Sequence, residues 1–210
     1  MSAQRGKYSG AKQNKRGHGC LGFVLTFTAI VAVLVILFFT THLFDGLKHT
    51  VYRWFYPQKY SEQVERCSEE FGVDEDLIYA VIKTESGFRA EVESHAGAVG
   101  LMQLMPETFD WLQENLEGEV IYPAERLKDA DINIRYGTYF LSWLLERYGD
   151  VGTACAAYNA GITNVDRWLG DSRYSADGDT LSAIPFGETE RYVEKVRDAL
   201  EMYRELYDEE

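Results

Sequence analysis

The sequence predicts a predominantly all-α protein, a helical domain behind a single N-terminal transmembrane helix. Three observations carry this. Apolar residues recur at helical spacing in almost every segment after residue 60. No run alternates apolar and polar residues for long enough to demand a sheet. Leu21 to Phe39 is a 19-residue run without a charge, about 28 Å long as a helix and so close to the hydrocarbon thickness of a bilayer.

Residues 1–20 form a basic N-terminus and residues 21–42 the transmembrane helix. Arg5, Lys7, Lys12, Lys15 and Arg16 precede the apolar run, and Asp45 is the first acid after it. That asymmetry predicts a cytoplasmic N-terminus with the rest of the chain outside. A cleaved signal peptide is the alternative. The run is longer than a usual signal core, however, and no small-residue cleavage site follows Thr40-Thr41-His42. Residues 43–58 read as a juxtamembrane stalk in which Leu43, Phe44, Leu47, Val51, Trp54 and Phe55 keep helical spacing until Pro57. Tyr52, Trp54 and Tyr56 are residue types of a membrane–water interface. An interfacial helix and a simple stalk both fit them.

Residues 59–207 are predicted to be the globular domain. A first helix covers 60–71 and ends near Gly72. Asp74, Glu75 and Asp76 suit the first turn of a second helix, and Gly87 its end. Met105, Phe109, Leu112 and Leu116 mark a third, with Pro106 as its first residue. Ile134, Gly137, Leu141, Leu144, Leu145 and Tyr148 mark a long fourth, closed by Gly149. A short helix from Val151 to Tyr158 follows, and Thr163 is placed to cap the next one, which holds Val165, Trp168 and Leu169. Residues 171–183, rich in Asp, Ser and Gly, read as a loop. The last helix runs from Gly187 to Tyr207 with Val193, Val196, Leu200, Tyr203 and Tyr207 on one face, and residues 208–210 are an acidic tail.

Charge narrows the function classes. The first 44 residues carry five cations and no acid, so with a net charge of −13 the remainder carries −18. Such a domain does not bind nucleic acid or an anionic surface by charge. Cys20, Cys67 and Cys155 do not form a zinc pattern. Cys67 and Cys155 lie among apolar neighbours, which suits free thiols better than a disulfide. No metal or nucleotide motif is present, and no cofactor is expected.

The candidate chemistry centres on Glu85. It falls three residues after Ile82 and four after Val81, on the apolar face of the second helix and at its C-terminal end. Burial and the negative end of the helix dipole both disfavour the carboxylate and raise its pKa, which suits a general acid. The alternative is a glutamate that reaches solvent or pairs with an arginine. The segment after it, from Ser94 through Gly100, Met102, Gln103 and Met105, combines glycines for close backbone approach, adaptable apolar side chains and an amide. Such a loop can line a groove for a polar ligand with apolar faces, such as a sugar, or simply be a loop with buried methionines. Tyr158 and Asn159 can bond a carboxyl or a sugar N-acetyl group, or be a core tyrosine beside a solvated amide. Glu188 and Tyr192 share one face of the last helix.

Four segments carry a resemblance. They are Glu85-Ser86-Gly87-Phe88, the run from Gly97 to Pro106, Ala157-Tyr158-Asn159-Ala160-Gly161, and the run from Ile184 to Val193. In this order and spacing they resemble the four signatures of the soluble-lytic-transglycosylase family (glycoside hydrolase family 23), which is similar to goose-type lysozyme. The resemblance covers residues 59–207 and implies a lysozyme-like helical domain. It also implies peptidoglycan glycan strands as substrate, with Glu85 acting first as acid and then as base. The sugar's own N-acetyl group and C6 hydroxyl would complete the reaction to a 1,6-anhydro end. Ser94, Gly100, Met102, Gln103, Met105, Tyr158, Asn159, Glu188 and Tyr192 match groove positions, with Tyr158 orienting Glu85. Arg89-Ala90-Glu91 and His95 depart from the commonest pattern beside the groove. A hydrolase of the same fold and an inactive wall-binding scaffold are the alternatives. The resemblance names no protein partner.

Overall fold

A computed structural model describes residues 27–28, 30–38 and 50–207. The chain divides into two compact units, Met1–Val51 and Tyr52–Glu210. In the first, residues 27–28 and 30–38 are helical, and Ile30, Val31 and the apolar residues from Val33 to Phe38 are exposed. No helix among the described residues is long and apolar enough to cross a membrane. The predicted basic N-terminus, the ends of the 21–42 segment, residues 43–49 of the stalk, the acidic tail, and Cys20, His18, His42 and His49 lie outside the described residues.

The second unit is helical. Its elements are α1 (Ser61–Phe71), α2 (Glu75–Glu85), α3 (Pro106–Glu117), a 3₁₀ turn (Ala124–Lys128), α4 (Ala130–Tyr148), α5 (Val151–Ala160), α6 (Ile162–Leu169) and α7 (Gly187–Tyr207). Pairing of extended backbone among the described residues is limited to isolated bridges, Glu93 with Val99 and Val99 with Leu104. α2 begins where predicted because Asp74 caps it, its carboxylate accepting from the Asp76 amide at 3.0 Å. Asp150 caps α5 in the same way through the Thr153 amide, and Gly72, Gly118 and Gly149 end α1, α3 and α4 in left-handed conformations.

Two predicted boundaries move. α5 runs one residue pair past Tyr158, to Ala160. Thr163 does not cap α6: Gly161, at φ 85° and ψ 147°, turns the chain directly from α5 into a helix that starts at Ile162. That backbone conformation is open to glycine and strained for other residues, so the turn needs no side-chain cap. The 3₁₀ turn was not expected from the sequence, since five residues are too few to show a period.

Two clusters make the core. Val64, Cys67, Leu77, Ile78, Val81, Ile82, Val196, Leu200 and Tyr203 join α1, α2 and α7. Phe109, Leu112, Leu127, Tyr136, Leu144, Ala156, Val165 and Trp168 join α3 to α6. Each fully buried large side chain stabilises the fold by about 1.5–3 kcal/mol. α4 and α5 lie between the clusters, with Leu141 and Cys155 in the first and Tyr136 and Ala156 in the second. Cys67 and Cys155 are buried free thiols, as expected, and burial pushes them up to about 11 and about 12.

Candidate active site

Glu85 is the last residue of α2 and is half-buried. The chain reverses immediately after it. Ser86 is buried and donates through Oγ to the Ile82 carbonyl, while Arg89 donates from Nε to the Ser86 carbonyl at 2.7 Å. Gly87 and Phe88 both have positive φ, 60° and 66°. For Phe88 this is an uncommon, costly conformation, held in place by burial of its ring near Tyr79. The turn therefore holds the carboxylate at a fixed point against α5 and α7.

Burial pushes Glu85 up to about 7, and the Tyr192 hydroxyl acts in the opposite direction. That hydroxyl is buried and has no partner at hydrogen-bonding geometry among the described residues, yet it lies close enough to lower the Glu85 pKa. No second carboxylate contributes to the shift. Tyr158 is also within electrostatic reach of Glu85, but its hydroxyl donates to the Met102 carbonyl at 2.8 Å. Tyr192, four residues after Glu188 on α7, is thus the phenol aimed at the carboxyl group, and Tyr158 ties α5 to the loop.

That loop is built from the inside by a residue the sequence reading missed. Asn133 of α4 is fully buried; its Oδ1 accepts from the Met102 amide at 2.7 Å and its Nδ2 donates to the carbonyls of Val99 and Leu127 at 2.9 Å each. Gly100 has φ 88° and faces the Asn133 amide and the Leu127 carbonyl, so a side chain there would collide with both. The available signal was an amide flanked by Ile132 and Ile134, which must find partners if buried. Gln103, at φ 50°, donates from Nε2 to the carbonyls of Gly100 and Val92. Ser94 closes the outer turn by accepting from the Ala98 amide.

The predicted groove residues therefore separate. Met102 is fully buried, its side chain against Gly137 of α4, so it supports the loop from within instead of offering a groove surface. Gly100 is buried too. Met105, Tyr158 and Asn159 come together in a cavity of about 500 Å³, with Glu107, Trp111, Phe140 and Ile162. Asn159 and Glu188 line an adjoining cavity of about 460 Å³ with Phe186 and Thr189. The Thr189 hydroxyl donates to Asn159 Oδ1 at 2.9 Å and joins the two. Trp111 and Phe140 were missed because aromatic residues on helices look like core, and Phe186, just before α7, was read only as part of the run from Ile184 to Val193. No lysine or arginine lines either cavity.

Residues 62–180 match the Transglycosylase SLT domain. The soluble lytic murein transglycosylase of Escherichia coli is 32% identical over 143 residues, covering 67% of this chain and 22% of that protein. The membrane-bound lytic murein transglycosylase C of Edwardsiella ictaluri is 32% identical over 169 residues, covering 70% of this chain and 47% of that protein. Among solved structures, an inactive mutant of the lytic transglycosylase Slt from Pseudomonas aeruginosa matches with a TM-score of 0.63 at 31% identity, over 71% of this chain and 24% of that one. The 70 kDa soluble lytic transglycosylase of Escherichia coli matches with a TM-score of 0.65 at 28% identity, over 73% of this chain and 25% of that one. The chain thus spans between about a fifth and about half of the relatives it matches. With the match over residues 62–180 and the helical fold in agreement, the chain belongs to the Transglycosylase SLT domain family.

Proposed function

We propose that the protein is a membrane-anchored peptidoglycan lytic transglycosylase with Glu85 as its one catalytic carboxyl group. The observation that carries this is the place of Glu85: it ends α2 at a tight turn, half-buried and facing the Tyr192 hydroxyl, and burial pushes its carboxyl up to about 7. Glycosidases that use water or a covalent intermediate work with two carboxyl groups. A single acid suits a reaction in which the substrate supplies the rest. Glu85 protonates the oxygen between N-acetylmuramic acid and N-acetylglucosamine, and the bond from that oxygen to the muramyl C1 breaks. The N-acetyl carbonyl meets the charge at C1. The carboxylate then takes the proton of the C6 hydroxyl, whose oxygen closes onto C1 as a 1,6-anhydro end.

In this reading Tyr192 positions and tunes the carboxyl group, Ser94, Gln103, Met105, Tyr158, Asn159 and Glu188 face the glycan or its peptide, and Gly100 and Met102 shape the loop. No cofactor takes part. Residues 21–42 anchor the protein with residues 1–20 in the cytoplasm and 59–207 outside, where the wall lies. The name of the Edwardsiella relative, a membrane-bound enzyme, supports the anchor. Mass spectrometry of peptidoglycan digested with the full chain tests the proposal. Anhydro ends are expected, and none with Glu85→Gln. Reducing ends would make the protein a hydrolase, and no cleavage by the wild type would leave a wall-binding scaffold.

A further inference from the structure

Residues 52–55 form the last helical turn before the globular domain, and they present two faces. One face is fastened to the C-terminal end of α7. Arg53 donates from a guanidinium nitrogen to the Leu206 carbonyl at 3.2 Å and lies 4.8 Å from the centre of the Tyr207 ring. The Tyr207 hydroxyl donates to the Tyr56 carbonyl at 2.9 Å and the Tyr203 hydroxyl to the Pro57 carbonyl at 3.2 Å. The Tyr56 ring sits edge-on to Tyr203 with Lys83 of α2 on it. The other face is open: Tyr52 is 40%, Trp54 77% and Phe55 50% exposed, and Trp54 and Phe55 pack edge to face at 4.9 Å.

A simple stalk would leave this turn free of the domain. Here hydrogen bonds to and from α7 hold residues 53–57 on the domain, and what they leave outside is an aromatic patch. Tyr56 is the exception among the aromatic residues named from the sequence, because its ring is spent on the domain. Exposed Trp and Tyr fit the boundary between lipid headgroups and acyl chains, which accepts an apolar ring and a polar edge together. The chain also reaches Tyr52 only a dozen residues after the uncharged Leu21 to Phe39 run.

We propose that Tyr52, Trp54 and Phe55 seat in the interfacial layer of a lipid bilayer, and that α7 is the spacer between that layer and the groove. This rests on the reading of residues 21–42 as an anchor. From Leu206, which holds Arg53, back to Tyr192 beside Glu85 is fourteen helical residues, about 21 Å, and to Glu188 eighteen, about 27 Å. Glu85 then works within about 20–30 Å of the membrane surface, on the glycan strands nearest the membrane.

The test uses the full chain in liposomes whose lipids carry bromine near the headgroup, compared with its Trp54→Phe variant. The difference between the two fluorescence signals belongs to Trp54, since both retain Trp111, Trp143 and Trp168. Quenching of that component by the brominated lipid, with protection from acrylamide, is the expected result. A chain that floats with the liposomes while Trp54 is quenched by acrylamide and not by bromine overturns the seating and leaves the anchor standing. A chain that does not float with the liposomes overturns both.

Discussion

Glu85 and Tyr192 form a unit whose two members pull in opposite directions. Burial disfavours the carboxylate, while the Tyr192 hydroxyl favours it, and the net result is a pKa of about 7. Below that pH the acid form dominates and can protonate a leaving oxygen, so cleavage should fall as pH rises through about 7. Tyr192→Phe removes the favourable group; the falling limb should move to higher pH, read from initial rates of muropeptide release across pH. The same numbers bear on stability. Glu85 binds its proton more tightly folded, at about 7, than at its ordinary 4.5, so its contribution is complete below about 4.5 and is lost as pH rises through about 7. Glu85→Gln, which is always neutral, should lose cleavage by at least about a thousandfold. It should also melt at a higher temperature than the wild type above pH 7 and at the same temperature below about pH 4.5. A glutamine that lowers the melting temperature above pH 7 would mean that Glu85 is ionised and paired.

At the scale of elements, what was legible in the sequence and what was not divides on physical grounds. α1, α2, α3, α4 and α7 were readable because each carries an amphipathic period over at least three turns and a strong end signal, such as Asp74 before α2 or Gly149 after α4. The start of α6 was not, because Gly161 makes the turn through its backbone and leaves Thr163 without a capping role. The position of Glu85 followed from spacing alone, but the assignment of Met102 to the groove surface did not survive, since a loop sequence does not say which of its side chains face inward. Asn133 decides that. It joins α4 to Met102, Val99 and Leu127 through hydrogen bonds across more than thirty residues of sequence in two cases, which no local pattern reveals. Asn133→Ala would remove three buried hydrogen bonds, those of the Met102 amide and of the Val99 and Leu127 carbonyls, although Val99 keeps the Leu104 amide, at about 2–4 kcal/mol. Thermal unfolding should show a fall of about 5–15 °C, with lost activity. Gly100→Ala, which forces the same contact apart from the other side, should behave alike.

At the scale of the whole molecule, charge is the property left without a role in the chemistry. The acidic part of the chain holds −18 beyond residue 44, and many of its arginines are already engaged: Arg66 with Asp131, Arg135 with Glu70 and Glu117, Arg147 with Asp166, Arg204 with Asp74. Such exposed pairs add about 0–1 kcal/mol each to stability, but they cancel cations that would otherwise draw an anionic polymer. The cavities that meet at Asn159 follow the same rule, holding Glu107 and Glu188 and no lysine or arginine. A wall decorated with anionic polymers would therefore repel the domain at long range, and the repulsion should reach about 30 Å at 0.01 M salt and about 8 Å at 0.15 M. Cleavage of intact, anionic wall preparations should rise severalfold over that range of salt, measured as release of soluble muropeptides. The same preparations stripped of their anionic polymers should show a nearly flat response, because short-range contacts in the groove are screened little. A rate that falls with salt on the intact wall would instead require a cationic attraction that neither of the two cavities provides. On the proposed function, the excess of negative charge would thus be a brake on diffuse attack, and the proposed anchor, not electrostatic attraction, would bring the acid to the wall.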